Sequence, residues 1–250
     1  MSGPDFTDIF DRQSTRFIDE LGALLRMPSI SGDAAFEANC RECASWLRDH
    51  MTGIGLTDCK LLETPTKPVV YGRFYKGPSA RNVFYYGHYD VQPAPHDWKP
   101  GCGDWISNPF EPVERDGRIF ARGAQDNKGQ LMYVLKAVET AIQQGTLNCN
   151  LEFFIEGEEE SSSRGIKAIL PELVKDRKGE VLLVCDSETS EPGTSGICLG
   201  IRGIVVLEIY VGGLSGDLHS GHFGGVVKNP ATELARIVSS FHNPDGSIAV

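Results

Sequence analysis

The stretch at residues 82–90 reads NVFYYGHYD. Its first five residues are rich in β-branched and aromatic side chains, and turn-forming residues surround them, so they predict a strand. His88 and Asp90 follow that strand directly. In open α/β sheets, ligands bind beyond the carboxyl ends of the strands. The stretch therefore predicts a strand that delivers a histidine and a carboxylate to a binding edge.

Three further segments place acidic side chains next to a predicted strand or helix. Residues 150–155 predict a strand that is followed by the acidic run 156–160, and residues 180–185 predict a strand that is followed by Asp186. Asp126 lies in the loop that enters a helix predicted over 128–144. Strands that alternate with helices favour an α/β fold with a mostly parallel sheet covered by helices on both faces. We therefore expect the acidic side chains to meet at one edge of this sheet.

The remaining elements are predicted from apolar spacing and from turn residues. Helices are expected from Phe6 to Leu24 and from Phe36 to Met51, a strand over 69–75, and a long loop over 91–119. A further helical stretch follows Ser163, where Pro171 should start a new turn or introduce a kink.

A second domain is predicted from the change of composition after Gly200. Residues 204–211 predict a strand, and Asn229 caps a helix that runs to about Phe241. No returning strands follow. We expect a catalytic domain over 1–202 that lacks its C-terminal part, and the truncated beginning of an α+β lid and dimerisation domain over 203–250.

The bulk composition excludes some partners. The 250 residues carry a net charge of −10, which argues against nucleic acid because phosphate binding needs a basic surface. No apolar run approaches the ~20 residues of a membrane span. Seven scattered cysteines without a secretory signal indicate a reducing compartment, so we expect a cytoplasmic protein. Cys40 and Cys43 share one helix face and are interpreted as core residues.

The charge of the converging side chains predicts bound cations. Asp126, Glu159, Glu160 and Asp186 would place four negative charges close together, which is unfavourable unless they are protonated or neutralised. Two divalent cations would cancel this charge. Histidine with carboxylates suits Zn²⁺ or Mn²⁺ better than Ca²⁺.

Each of these residues also has a simpler interpretation. His88 could be a packed or solvated histidine, Asp126 a helix cap, and Asp186 a turn residue. Residues 158–160 could be a solvated acidic run. Their joint position after predicted strands favours a metal site over these separate explanations.

Three motifs of the sequence resemble the signatures of a known family. They are GHYDVQP at 87–93, ARGAQDNKG at 121–129 and EGEEES at 156–161, and residues 105–109 and 116–118 match in the intervening loop. In order and spacing they resemble the aminoacylase/dipeptidase superfamily of dinuclear zinc metallopeptidases, the group of carnosine dipeptidase and carboxypeptidase G. The resemblance covers essentially the whole chain, as the N-terminal portion of such a protein.

The resemblance implies a role for each candidate residue. His88 and Asp186 would bind one metal ion, Glu160 the second, and Asp126 would bridge both. Two divalent ions are expected, with Zn²⁺ preferred and Mn²⁺ or Co²⁺ as alternatives.

Two further residues complete the expected chemistry. Glu159 would act as general base, taking a proton from the attacking water and returning it to the leaving amine. Asp90 would orient or polarise His88 without binding the metal itself. The expected substrate is a small peptide or a related amide.

The resemblance also implies a role for the second domain. His219 would donate a hydrogen bond to the reaction oxyanion, and the second domain would carry a homodimer interface. His222 has no such counterpart.

The residue type at position 186 bears on the substrate. Asp186 favours a dipeptidase that accepts Cys-Gly or β-Ala-His substrates, whereas an N-acyl-amino-acid amidohydrolase is the alternative. A non-catalytic metal-binding or dimerising fragment is the third possibility, since the family's C-terminal His ligand and its carboxylate-binding Arg are missing. Asn127 stands where the family usually has Asp, after a peptide bond that is typically cis.

Overall fold

The computed structural model describes residues 6–101, 103–187, 194 and 196–249. The chain divides into two units, Met1–Thr189 and Ser190–Val250. The predicted assignment of domains to 1–202 and 203–250 stays a prediction.

The first unit combines helices with a central sheet. Its described helices are α1 (Phe6–Leu25), α2 (Glu37–Gly53), α3 (Lys128–Gln143) and α4 (Arg164–Val174). Its strands are β1 (Thr57–Leu62), β2 (Val69–Phe74), β3 (Arg81–His88), β4 (Val113–Arg115), β5 (Arg118–Phe120), β6 (Cys149–Glu156) and β7 (Val181–Val184). Short 3₁₀ helices cover Ala34–Phe36 and Glu159–Ser161. The helices and strands predicted within residues 6–187 are confirmed to within a few residues.

The central sheet has the strand order β1-β2-β6-β3-β7. β3 runs parallel to both β6 and β7, whereas β2 is antiparallel to both of its neighbours. Four of the five strands therefore point in one direction, and the prediction of a mostly parallel sheet is confirmed. The register pairs His88 with Glu156, so β3 and β6 end at the same edge.

The hydrophobic core lies between the sheet and two of the helices. Because side chains alternate along a strand, Tyr85 of β3 and Phe153 of β6 point to one face, where they join buried residues of α2 and α3. Phe84 and Phe154 point to the other face, where their rings meet edge to face at 5.6 Å. Arg177, just after α4, lies 5.7 Å from the ring centre of Phe154.

The sequence patterns do not predict three of the strands in the first unit. β1 pairs with β2 at the edge of the sheet, and its side chains are exposed or only partly buried. β4 and β5 form a two-stranded hairpin over residues 113–120, where the end of a long loop over 91–119 was expected. Pro171 lies within α4, which continues without interruption from Arg164 to Val174.

The second unit contains two described helices, α5 (Ser220–Phe223) and α6 (Pro230–Ser240). The predicted cap of α6 is confirmed, since the side chain of Asn229 accepts a hydrogen bond from the N–H of Ala231 at 2.9 Å. The predicted strand over 204–211 is wrong. A strand needs a neighbour for its backbone hydrogen bonds, and no described residue pairs with this segment. In the described parts of the chain, no helix combines the length and the apolar character required to cross a membrane.

Candidate metal centre

Four segments of the first unit deliver polar side chains to the edge where β3 and β6 end. His88 is the last residue of β3, and Asp186 lies just beyond the end of β7. Asp126 precedes α3, and Glu159 follows β6 at the start of a 3₁₀ helix. The three carboxylates each place an oxygen within 4.0 Å of Nε2 of His88.

His88 is the centre of the cluster and is 0% exposed. Its Nε2 atom lies 3.2 Å from Oδ1 of Asp126, 3.6 Å from Oδ2 of Asp186 and 4.0 Å from Oε2 of Glu159. The other ring nitrogen, Nδ1, lies 3.1 Å from the backbone oxygen of Asp90. Nε2 therefore faces the carboxylates, whereas Nδ1 lies within hydrogen-bond distance of the backbone.

The residues present fit a divalent cation. Nε2 of His88 is buried and has no hydrogen-bond partner among the described residues, an arrangement that is unfavourable unless a ligand is bound. Nε2 and one oxygen each from Asp126 and Asp186 lie within 4.8 Å of one another. An imidazole with two carboxylates is a donor set that suits Zn²⁺ or Mn²⁺.

The electrostatics of the site attract positive charge. Burial lowers the pKa of His88, but the contacts with Asp186 and Asp90 outweigh it and raise this pKa to about 11. The contact with His88 in turn lowers the pKa of Asp186, against the effect of burial. The carboxylates therefore stabilise a positive charge at this position, whether it is carried by a proton or by a metal ion.

Asp90 connects two parts of the site and is fully buried. Its Oδ1 atom lies 3.3 Å from Nδ1 of His88 and accepts a hydrogen bond from the N–H of Glu159 at 3.2 Å. Its Oδ2 atom accepts hydrogen bonds from the hydroxyl of Ser31 at 2.6 Å and from the N–H of Glu160 at 3.1 Å. Asp90 thus holds the ring of His88 and the segment after β6 at the same time.

Glu159 and Glu160, which follow β6, have different surroundings. Burial raises the pKa of Glu159; the nearby charge of His88 lowers it and that of Asp186 raises it, and the net direction is upward. Glu160 lies outside the group of His88, Asp126 and Asp186. Its Oε2 atom accepts a hydrogen bond from the side chain of Gln92 at 2.7 Å. The predicted role of Glu160 as a metal ligand stays a prediction.

His219 belongs to the second unit, where it caps the N-terminus of α5. Its Nδ1 atom accepts a hydrogen bond from the N–H of Gly221 at 3.0 Å, and its ring centre lies 4.7 Å from that of His222. Its predicted role toward the oxyanion stays a prediction.

Sequence reasoning does not identify Lys128 as part of this region. Lys128 is 0% exposed, and its ammonium group donates hydrogen bonds to the backbone oxygens of Leu24 at 3.1 Å and Met27 at 2.7 Å. These oxygens belong to the end of α1 and the turn after it. Lys128 therefore ties α1 to the start of α3, next to Asp126. The signal available in the sequence is a lysine at the first position of the helix, two residues after Asp126.

The Asp126–Asn127 peptide bond is cis, as the family resemblance predicts.

Comparisons with known proteins give the same family. Residues 84–244 match Peptidase family M20/M25/M40. The Cys-Gly metallodipeptidase dug1 of Schizosaccharomyces pombe is 32% identical over 263 residues, covering 100% of this chain and 54% of that protein. The Beta-Ala-His dipeptidase of Homo sapiens is 34% identical over 191 residues, covering 74% of this chain and 36% of that protein.

A solved structure also matches most of the chain. The dipeptidase Dug1p from Saccharomyces cerevisiae superposes with a TM-score of 0.70 at 28% identity, covering 96% of this chain and 53% of that one. The chain thus spans about half the length of the Schizosaccharomyces pombe dug1 protein and of Dug1p. Because the family match covers more than half of its residues, this chain belongs to peptidase family M20/M25/M40.

Proposed function

We propose that this chain carries the metal-binding part of a hydrolase that cleaves dipeptides with the help of divalent cations. The observation that carries the proposal is the position of His88. Its Nε2 atom is buried, lacks a hydrogen-bond partner among the described residues, and faces Asp126 and Asp186 at 3.2 and 3.6 Å. The names of two relatives, a Cys-Gly metallodipeptidase and a Beta-Ala-His dipeptidase, support the substrate class.

Two cations are part of the proposal. His88 and Asp186 would bind the first cation, and Glu160 would bind the second. Asp126 would bind both cations. When bound, such ions lower the pKa of a water molecule and polarise a carbonyl oxygen. Zn²⁺ is the proposed ion, and Mn²⁺ and Co²⁺ are the alternatives because they accept the same nitrogen and oxygen ligands.

Glu159 is the proposed general base. Its raised pKa brings the carboxylate nearer to the pH at which a base can both accept and return a proton. Glu159 takes the proton of the attacking water and delivers it to the amine that leaves. Asp90 supports this step because it holds the backbone of Glu159 and the ring of His88.

The role of the second domain is also a proposal. The family resemblance supports residues 203–250 as the beginning of a lid and dimerisation domain in a homodimer, with His219 donating to the oxyanion.

Compartment and partners belong to the proposal as well. A cytoplasmic location is supported by the six described cysteines, all of which are free thiols. The net charge of −10 supports a partner other than nucleic acid.

The test compares two classes of substrate. The protein is loaded with Zn²⁺, Mn²⁺ or Co²⁺ and assayed on the free dipeptides Cys-Gly and β-Ala-His and on N-acetylated amino acids. We expect metal-dependent release of amino acids from the free dipeptides. Preference for the N-acetylated substrates would replace the dipeptidase assignment by that of an amidohydrolase.

Metal analysis of the same sample tests the non-catalytic alternative, which is motivated by the length of the chain relative to its relatives. Two tightly bound ions per chain together with dipeptide hydrolysis would support the proposal. One ion or none, without hydrolysis of any of these substrates, would support a non-catalytic fragment.

A further inference from the structure

Asn127 joins three segments of the metal site and is 0% exposed. Its side-chain oxygen accepts a hydrogen bond from the N–H of His88 at 3.2 Å. Its side-chain nitrogen donates to the backbone oxygen of Cys185 at 2.8 Å and to Oδ1 of Asp186 at 3.0 Å. The same nitrogen lies 2.9 Å from Oε1 of Gln130 in the first turn of α3. The amide therefore links the ends of β3 and β7 to the start of α3.

The two oxygens of Asp186 have separate partners. Oδ1 accepts the hydrogen bond from Asn127, whereas Oδ2 lies 3.6 Å from Nε2 of His88. The amide of Asn127 therefore limits rotation of this carboxylate and leaves one oxygen directed toward the imidazole. An amide can do this because it has a donor and an acceptor on one planar group, whereas an ionised carboxylate can only accept.

The backbone of β3 makes room for this contact. A Cβ atom added at Gly87 would lie 3.0 Å from the side-chain oxygen of Asn127 and 2.9 Å from the hydroxyl of Tyr85. Gly87 directly precedes His88. The close approach of Asn127 to the backbone at His88 thus depends on a residue without a side chain at position 87.

We infer that Asn127 is a positioning residue of the metal site, which sets the orientation of the Asp186 carboxylate relative to His88. This inference rests on the proposed function, because it concerns the same ligands. Groups that hold metal ligands in place contribute about 10–100-fold to metal affinity. Asn127 is expected to contribute in this range without contacting the ion.

The test uses Co²⁺ as the probe, because its visible absorption spectrum reports the geometry of its ligands. Asn127→Ala should bind Co²⁺ about 10–100-fold more weakly than the wild-type chain and should show an altered spectrum. Asn127→Asp keeps nearly the same shape and the acceptor for His88 but cannot donate to Asp186, so its spectrum should also change. In an Asp186→Ala background, Asn127→Ala should cause a smaller loss of affinity than it causes in the wild-type chain, because the carboxylate that Asn127 orients is then absent.

Asn150→Ala is the matched control. Asn150 is another buried asparagine, whose side chain bonds to the N–H of Lys76 and to the backbone oxygen of Gly77, at the opposite end of β6 from the metal site. Asn150→Ala should keep the wild-type affinity and spectrum. An unchanged Co²⁺ affinity and spectrum in both Asn127 variants would overturn the inference, as would an equal loss in the Asn150 variant. A wild-type chain that binds no Co²⁺ would instead contradict the proposed metal site itself.

Discussion

The carboxylate of Asp90 accepts a hydrogen bond from the backbone N–H of Glu159, with 3.2 Å between Oδ1 and N. The same oxygen lies 3.3 Å from Nδ1 of His88. One buried side chain thus holds both the histidine at the end of β3 and the residue proposed as general base. His88, a proposed ligand, and Glu159, the proposed base, belong to different segments of the chain. Asp90 fixes their relative position through Nδ1 of His88 and the backbone of Glu159.

Replacing Asp90 with alanine should therefore impair two properties together. Metal affinity should fall by about 10–100-fold, because Nδ1 of His88 loses the carboxylate beside it and keeps only the backbone oxygen of residue 90. Turnover should fall further because the backbone of Glu159 is released. Metal affinity is measured by titration against a competing chelator, and turnover with free dipeptides. Ser31→Ala removes only one donor to Asp90 and should remain close to wild type. Equal effects of both substitutions would contradict this role of Asp90.

Replacing Glu159 with glutamine should separate chemistry from metal binding. We expect kcat to fall by about 10²–10⁴-fold, the usual contribution of a general base, while metal content is unchanged because Glu159 is not a proposed ligand. Glu172→Gln, on the exposed surface of α4, is the control and should keep full turnover. Normal turnover in the Glu159 variant would remove this residue from its proposed role.

Gly129 is predicted to be essential for the loop that carries Asp126. A Cβ atom at this position would lie 1.9 Å from the backbone oxygen of Ala124, which cannot yield as a flexible side chain would. Gly129→Ala should lower the free energy of unfolding by about 1–3 kcal/mol and reduce metal content. Urea denaturation and metal analysis check both effects. Gly53→Ala, at the end of α2 where an added Cβ meets nothing within 4 Å, should be tolerated; a similar loss there would argue against the close-contact explanation.

His50 is predicted to make stability depend on pH. Burial lowers its pKa from 6.5 to about 4, and the charge of Lys136 acts in the same direction, against that of Glu20. Because the unfolded chain binds this proton more tightly, the contribution is fully present above about pH 6.5 and is lost as the pH falls to about 4. The loss should amount to about 2–3 kcal/mol.

Urea denaturation between pH 4 and pH 7 isolates this contribution by comparison with His50→Phe. Phenylalanine can keep the stacking on Trp46, whose ring centre lies 4.7 Å from that of His50. The variant should lose less stability than wild type over this range. An identical pH dependence of both proteins would assign the effect to other groups.

Local patterns were sufficient for the elements with a strong periodic signal. β3 and β6 were predicted because they are rich in β-branched and aromatic residues, and α1 because its apolar residues recur at helical spacing. β1 was missed because it is an edge strand with exposed or partly buried side chains, which leaves little alternation in the sequence. The strand expected over 204–211 failed for a different reason. Its composition favours a strand, but no described residue supplies the neighbour that a strand requires.

In the candidate site, too, some features could be predicted from the sequence and others could not. His88, Asp126, Glu159 and Asp186 could be selected from the sequence because each follows a strand or precedes a helix at one edge of the sheet. The hydrogen bonds that join Asn127 and Lys128 to other segments could not be predicted, because those partners lie 39 or more positions away in the sequence.

The amino-acid sequence was enough to assign the family, a mostly parallel sheet and the kinds of side chain that reach its edge, because these follow from short-range periodicity and from motifs. Which atoms face one another depends on the tertiary fold. The positions of three groups depend on the register between β3, β6 and β7. These groups are the unpartnered Nε2 of His88, the carboxylate of Asp90 and the amide of Asn127. That register results from packing and backbone hydrogen bonds between segments that are far apart in the chain, and no single segment encodes it.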